Sequence, residues 1–188
     1  MTLTISVWLV ILGALLLANL PFVLDRPLAP WPWAQALQAW GNGSRWVFGL
    51  GFLVLLAAWS WGTLHLVGSS FGGVGDGLFI FKLLISIGLA AALLSAAGWL
   101  AALRQPAASD TATRKTTSVG SGKLFIDRFL ELLVGYVLVG MLGFAMELDL
   151  GNAFPQGWEF YAVTLALFMV LGYPGFVWCY MLQRRRLR

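Results

Sequence analysis

The chain has 188 residues, of which 60% are hydrophobic and only 11% are charged. An average soluble domain has about 45–50% apolar and about 25% charged residues, so a soluble fold of this length would leave large apolar patches in water. The composition therefore excludes an ordinary soluble enzyme, a secreted domain and a disordered regulator. A single Cys and a single His exclude a disulfide framework and any internal metal or haem site that needs several such ligands, and we expect no cofactor.

Long apolar runs predict an all-α, polytopic membrane protein. A bilayer core about 30 Å thick needs roughly 20 apolar residues in a helix, and a helix satisfies its own backbone groups in lipid. The runs predict five transmembrane helices, over residues 3–24, 46–67, 79–103, 125–146 and 160–182. The lipid bilayer is therefore the first expected partner.

The distribution of basic residues predicts the orientation. With five spans, the first loop, the third loop and the C-terminus lie on one side. They hold most of the 12 Lys and Arg residues, namely Arg26, Arg45, Arg104, Arg114, Lys115, Lys123, Arg184, Arg185, Arg186 and Arg188. Because cytoplasmic loops carry an excess of Lys and Arg, we expect the N-terminus outside and the C-terminus in the cytoplasm. The net charge of +4 then belongs to these loops, and we expect no nucleic-acid partner.

Two connecting segments differ in character. Residues 31–46 place Trp33, Leu37 and Trp40 at helical spacing, which predicts a short helix lying in the cytoplasmic membrane interface. Residues 105–122 are rich in Ala, Ser, Thr and Gly, a linker composition that predicts no fixed structure.

Glu131 interrupts the fourth span, and an ionisable group at membrane depth is a candidate functional residue. It lies about one turn inside the predicted cytoplasmic boundary, where a buried charge costs less than at mid-helix. Arg128, three residues earlier, shares its helix face. We interpret Glu131 as part of a boundary ion pair or an inter-helix contact, with a proton-relay or substrate role as the alternative.

Two further ionisable side chains lie near the predicted outer surface. Lys82 is in the opening turn of the third span, where its long stem reaches the interface and Asp76 is nearby in sequence. His65 lies near the outer end of the second span, close to Trp61. We interpret both as interface residues, and a role in ligand or ion binding is the alternative.

Asn19, Pro21 and Pro174 are candidate packing residues. Asn19 and Pro21 lie at the inner end of the first span, where Asn bonds neighbouring helices and Pro ends or bends its own helix. Pro174 lies within the last span between Gly172 and Gly175, which predicts a kink. Such a kink serves either packing or transport.

Four stretches carry a family resemblance: 18–22 (ANLPF), 128–133 (RFLELL), 155–161 (PQGWEFY) and 174–178 (PGFVW). The third, which contains Trp158 and Glu159, is the most specific. Together they resemble a family of small bacterial inner-membrane proteins known as a domain of unknown function. The resemblance implies a multi-pass protein of the proteobacterial inner membrane, whose gene commonly lies beside those of the proton-pumping NADH dehydrogenase, respiratory complex I. It implies no catalytic residues.

The resemblance also implies a division of the chain. Residues 1–27 hold a family-like first span, and residues 123–188 hold two family-like spans and the basic tail. Residues 28–122 form an inserted region with two further spans and the linker, since family members have three spans.

The leading hypothesis is a non-catalytic accessory, either a small subunit or an assembly factor. Its partners are other integral membrane subunits, with the membrane arm of complex I suspected. The alternative is a small transporter or ion-conducting module that uses Glu131, Lys82, His65 and the Pro174 kink. We do not expect an enzyme, because no nucleophile–base pair or metal cluster can be assembled from the sequence.

Overall fold

The computed structural model describes residues 3–24, 28–31, 42–68, 76–103, 125–151 and 155–182. In the helix that begins at residue 76, side chains are described as far as residue 95. Within these ranges the chain is mostly helical and contains no strand. Five of the described helices are long and apolar enough to cross a membrane, over Thr4–Val23, Gly43–Gly68, Gly77–Ser95, Phe125–Asp149 and Trp158–Met181. This confirms the five predicted spans.

The helices follow in the order α1 (Leu3–Val23), α2 (Asn42–Gly68), α3 (Asp76–Leu103), α4 (Phe125–Asp149), α5 (Trp158–Leu171) and α6 (Tyr173–Val177). A π-helical turn, Trp178–Leu182, ends the described chain and is called here the terminal π segment. The last span is thus α5, α6 and this segment together, broken at Gly172 as the Pro174 motif predicted.

One boundary differs from the sequence prediction. The interfacial helix was predicted over 31–46, but residues from Asn42 onwards are the first turn of α2. The apolar pattern of α2 starts only at Trp46, so a hydropathy criterion misses the polar opening turn. Residues 32–41 and the predicted linker at 105–122 lie outside the described residues.

Helices α1 to α4 alternate in direction, so that each runs antiparallel to the one before it in sequence. α4 lies at the centre of the bundle. One apolar cluster joins the start of α1, the end of α2, the start of α3 and the end of α4. α4 packs against both α1 and α2, while α3 packs mainly on α2. α4 is accordingly the most buried of the five candidate spans.

Buried hydroxyl groups and an indole connect α2 to α3. The indole N–H of Trp59 donates to the carbonyl oxygen of Ser86 at 3.0 Å, and the hydroxyls of Thr63 and Ser86 are hydrogen-bonded at 2.7 Å. Both hydroxyl side chains are buried. Polar contacts of this kind hold helices together in lipid, where apolar side chains gain little by leaving the bilayer.

The broken fifth span carries an exposed Trp at each end. Trp158 opens α5 and Trp178 opens the terminal π segment, and both side chains are largely exposed. At 1.5 Å per residue they lie about 30 Å apart along the helix, which is about the thickness of the hydrocarbon core. Trp prefers the two membrane–water interfaces, so the spacing fits a span that crosses the bilayer.

A glycine allows α1 and α4 to approach closely. A Cβ atom at Gly135 would lie 3.3 Å from the backbone oxygen of Leu17 and 3.5 Å from Cζ of Phe168. A Cβ atom at Gly140, on the same helix, would meet nothing within 4 Å. Gly135 is therefore a contact point of the helix pair, whereas Gly140 faces open space.

We expect Gly135→Ala to lower the free energy of unfolding by about 1–2 kcal/mol, because a backbone oxygen cannot yield as a flexible side chain does. The matched variant Gly140→Ala should be neutral or slightly stabilising, since Ala favours helix more than Gly does. Unfolding curves of both variants in a mild detergent, titrated with SDS, provide the test. Equal stability of the two would contradict the close approach.

Candidate functional site: a buried polar cluster at one end of the bundle

Three charged side chains are buried where α4 begins. Asp127, Arg128 and Glu131 are 5%, 4% and 3% exposed, respectively. The same end of the bundle, called here the Arg128 end, contains the end of α1, the start of α2 and the terminal π segment. Buried charges require specific partners, so the contacts of these residues define the site.

Arg128 joins α4 to the ends of two other helices. Its Nη1 donates to the carbonyl oxygen of Phe22 at 3.3 Å and to Sγ of Cys179, and its guanidinium carbon lies 5.5 Å from the centre of the Tyr180 ring. The last carbonyl groups of a helix have no partner within it. Arg128 therefore caps α1 and at the same time anchors the terminal π segment.

Glu131 holds the chain that follows α1. Its Oε1 accepts a hydrogen bond of 2.7 Å from the backbone N–H of Leu28. Ala29 and Pro30, next along the chain, are buried, and the ring of Trp31 packs edge-on against Phe52 of α2. The carboxylate thus ties a short non-helical strap, residues 28–31, into the end of the bundle.

We expect Glu131→Ala to lower the free energy of unfolding by about 1–3 kcal/mol, because it leaves the Leu28 N–H without its acceptor. Glu131→Gln keeps an acceptor oxygen in place, so its loss should be smaller. Glu159, on the first turn of α5, is exposed, and Glu159→Ala serves as the control. SDS titration in detergent measures all three, and equal losses for the Ala variants would contradict this role of Glu131.

The side-chain amide of Asn19 bridges the break in the last span. Its Nδ2 donates to the carbonyl oxygen of Leu171 at 3.0 Å, and its Oδ1 accepts from the backbone N–H of Gly175 at 2.8 Å. In a continuous helix these two backbone groups would bond each other, since they belong to residues i−4 and i. Asn19 therefore replaces the helical hydrogen bond beside Pro174.

The glycines on either side of this break permit the insertion. A Cβ atom at Gly175 would lie 2.9 Å from Oδ1 of Asn19 and 3.1 Å from Cβ of Phe22. A Cβ atom at Gly172 would lie 3.1 Å from the backbone oxygen of Ala18. Pro21 is fully buried inside α1, two residues before its end, so it does not terminate the helix.

The predicted outer-surface residues lie away from this site. Lys82 lies within electrostatic range of Asp149, at the end of α4. The ring of His65 lies 4.9 Å from that of Trp61. These residues belong to the opposite end of the bundle, because α2 and α4 end there and α3 begins there.

The 155–161 stretch also lies at the opposite end. Gln156 donates to both carboxylate oxygens of Glu147 at 3.5 Å, and Trp158 and Glu159 are exposed. The hydroxyl of Tyr136 donates to the carbonyl oxygen of Tyr161, and it lies 2.9 Å from the hydroxyl oxygen of Thr164. This stretch thus fixes the start of α5 against α4.

Sequence reasoning missed Asp127, Cys179 and Tyr180 as members of the site. Asp127 was detectable, since residues 127, 128 and 131 recur on one side of a helix. Cys179 and Tyr180 reach Arg128 through the tertiary fold, and no local pattern signals that contact. Among the described residues, no three His, Cys, Asp or Glu side chains come together as metal ligands would.

The fold and the site define a multi-pass helical membrane protein with a polar cluster buried at one end. The sequence model of a family described as a protein of unknown function (DUF2818) matches residues 106–183, less than half of the chain. Neither the curated proteins nor the solved structures contain a match. The match includes the 128–133, 155–161 and 174–178 stretches, while the 18–22 stretch lies outside it and packs against 174–178 through Asn19.

Proposed function

We propose that the protein is a non-catalytic accessory of the bacterial inner membrane, a small subunit or assembly factor that packs against other integral membrane subunits. The membrane arm of respiratory complex I is the proposed partner. The proposed orientation has the N-terminus outside and the C-terminus in the cytoplasm. This orientation rests on the excess of Lys and Arg in alternate connecting segments.

The main support for the proposal is the set of hydrogen bonds that polar side chains make to backbone groups inside the bundle. Asn19 and Arg128 bond to backbone groups that a helix break or a helix end leaves without a helical partner, and Glu131 accepts from the backbone N–H of Leu28 in the strap after α1. Such contacts fix the positions of helices relative to one another. A rigid unit of this kind suits a protein that binds and orients a neighbour in the membrane.

The break in the last span favours the accessory hypothesis over the transporter hypothesis. Transporters use broken helices to bind ions or substrates on the freed backbone groups. Here the Asn19 amide is hydrogen-bonded to the carbonyl of Leu171 and to the N–H of Gly175. Because both backbone groups are bonded within the protein, the break favours a structural role.

Complex I is proposed as the partner because the chain resembles a family of membrane proteins. The resemblance implies a gene that lies beside those of complex I. The exposed apolar faces are consistent with either lipid or a neighbouring subunit. On α3 the outward residues include Leu84, Leu89 and the small Gly88, and small residues allow helices to approach closely.

Purification of complex I in a mild detergent, from cells that carry a tagged copy of this chain, tests the proposal. We expect mass spectrometry to find the chain with the enzyme or with its assembly intermediates. Absence from both, at normal abundance in the membrane, would contradict it. A Glu131→Ala variant, which loosens the Arg128 end, should co-purify less than the Glu159→Ala control.

The alternative is a small ion- or proton-conducting module, favoured by the burial of Glu131 and by the broken last span. Purified protein in liposomes tests it directly. Proton or ion flux that Glu131→Gln abolishes, with folding intact, would replace the accessory proposal. We expect no flux above that of empty liposomes.

A further inference from the structure

Side chains from α1 and α4 hold α6 and the terminal π segment in place. Asn19 accepts from Gly175, and the Phe22 and Phe176 rings meet edge-on with centroids 6.0 Å apart. A few residues further on, Arg128 of α4 contacts Cys179 and the Tyr180 ring. Only the short α6 separates the break from these last contacts, so the bend at the break determines where Cys179 lies.

Two features of the backbone depart from a regular helix on either side of α6. The break at Gly172 precedes it, and the wider π turn follows it. A π-helix adds a residue to a helical turn and so changes the direction in which later side chains point. Bend and π turn together bring Cys179 and Tyr180 onto Arg128.

We propose that the Asn19 amide is a conformational latch. Inserted between Leu171 and Gly175, it holds the last span bent and the terminal π segment against Arg128. When the amide leaves, the segment takes a second position away from Arg128. This inference goes beyond the accessory role, and its test does not depend on any partner.

The single cysteine of the chain makes the latch measurable. The rate at which N-ethylmaleimide alkylates Cys179 in native membranes reports how closely Arg128 and its neighbours cover the thiol. We expect Asn19→Ala to raise this rate about tenfold. Gly175→Ala should raise it too, because its Cβ would displace the amide, and Gly140→Ala, whose Cβ meets open space, is the control.

A double variant separates a latch from simple stabilisation. In Asn19→Ala/Pro174→Ala the last span can close its own hydrogen bond between Leu171 and Gly175 and straighten. We expect this variant to regain most of the stability that Asn19→Ala loses while Cys179 stays rapidly alkylated. Return of the alkylation rate to the wild-type value would overturn the latch, as would an unchanged rate in both Asn19→Ala and Gly175→Ala.

Discussion

Replacement of Asn19 by Ala is expected to lower the free energy of unfolding by about 2–3 kcal/mol. The substitution removes the partners of the Leu171 carbonyl and the Gly175 N–H, and each unsatisfied buried group costs roughly 1–3 kcal/mol. Pro174 keeps the two groups apart, because its ring prevents the helix from closing. SDS titration of the purified protein in detergent measures the loss.

The matched control is Leu16→Ala on the same helix, where the side chain is exposed. It should change stability by less than about 1 kcal/mol, since lipid and detergent replace its few contacts. Addition of Pro174→Ala should restore most of the stability that Asn19→Ala loses. Additive losses from the two substitutions would contradict the bridging role of Asn19.

Replacement of Arg128 by Ala is expected to cost about 2–4 kcal/mol, in the range of substitutions that break a buried polar network. The substitution leaves the Phe22 carbonyl uncapped and removes the contacts with Cys179 and the Tyr180 ring. The loss should appear in the same SDS titration, together with faster alkylation of Cys179.

Arg128→Lys is the informative companion variant. Lys keeps the positive charge but lacks the planar guanidinium that contacts several groups at once. We therefore expect it to recover less than half of the stability that Arg128→Ala loses. Full recovery would mean that charge alone holds the Arg128 end together, and the geometric role assigned to the guanidinium would be wrong.

The positions of the spans follow from hydropathy alone, and the structure confirms them. Lipid-facing helices need only length and apolar side chains, so local sequence suffices. The break at Gly172 was equally predictable, because Pro174 lacks an N–H for its own helix and lies between two glycines. Both features depend on the chemistry of a single segment.

The partners of the polar side chains could not be predicted in the same way. Asn19 meets the backbone of Leu171 and Gly175, and Glu131 meets the backbone N–H of Leu28. A backbone group has the same chemistry at nearly every residue, so it leaves no sequence signal at the receiving position. Only the packing of α1 on α4 and on the last span selects which backbone group is reached.

We infer that the chain crosses the membrane five times, with its polar side chains engaged inside the bundle. Compartment-sensitive reporters fused before Met1 and after Arg188 test it most directly. We expect the two reporters to lie on opposite sides, with the one after Arg188 in the cytoplasm. Reporters on the same side would require an even number of crossings and would contradict it.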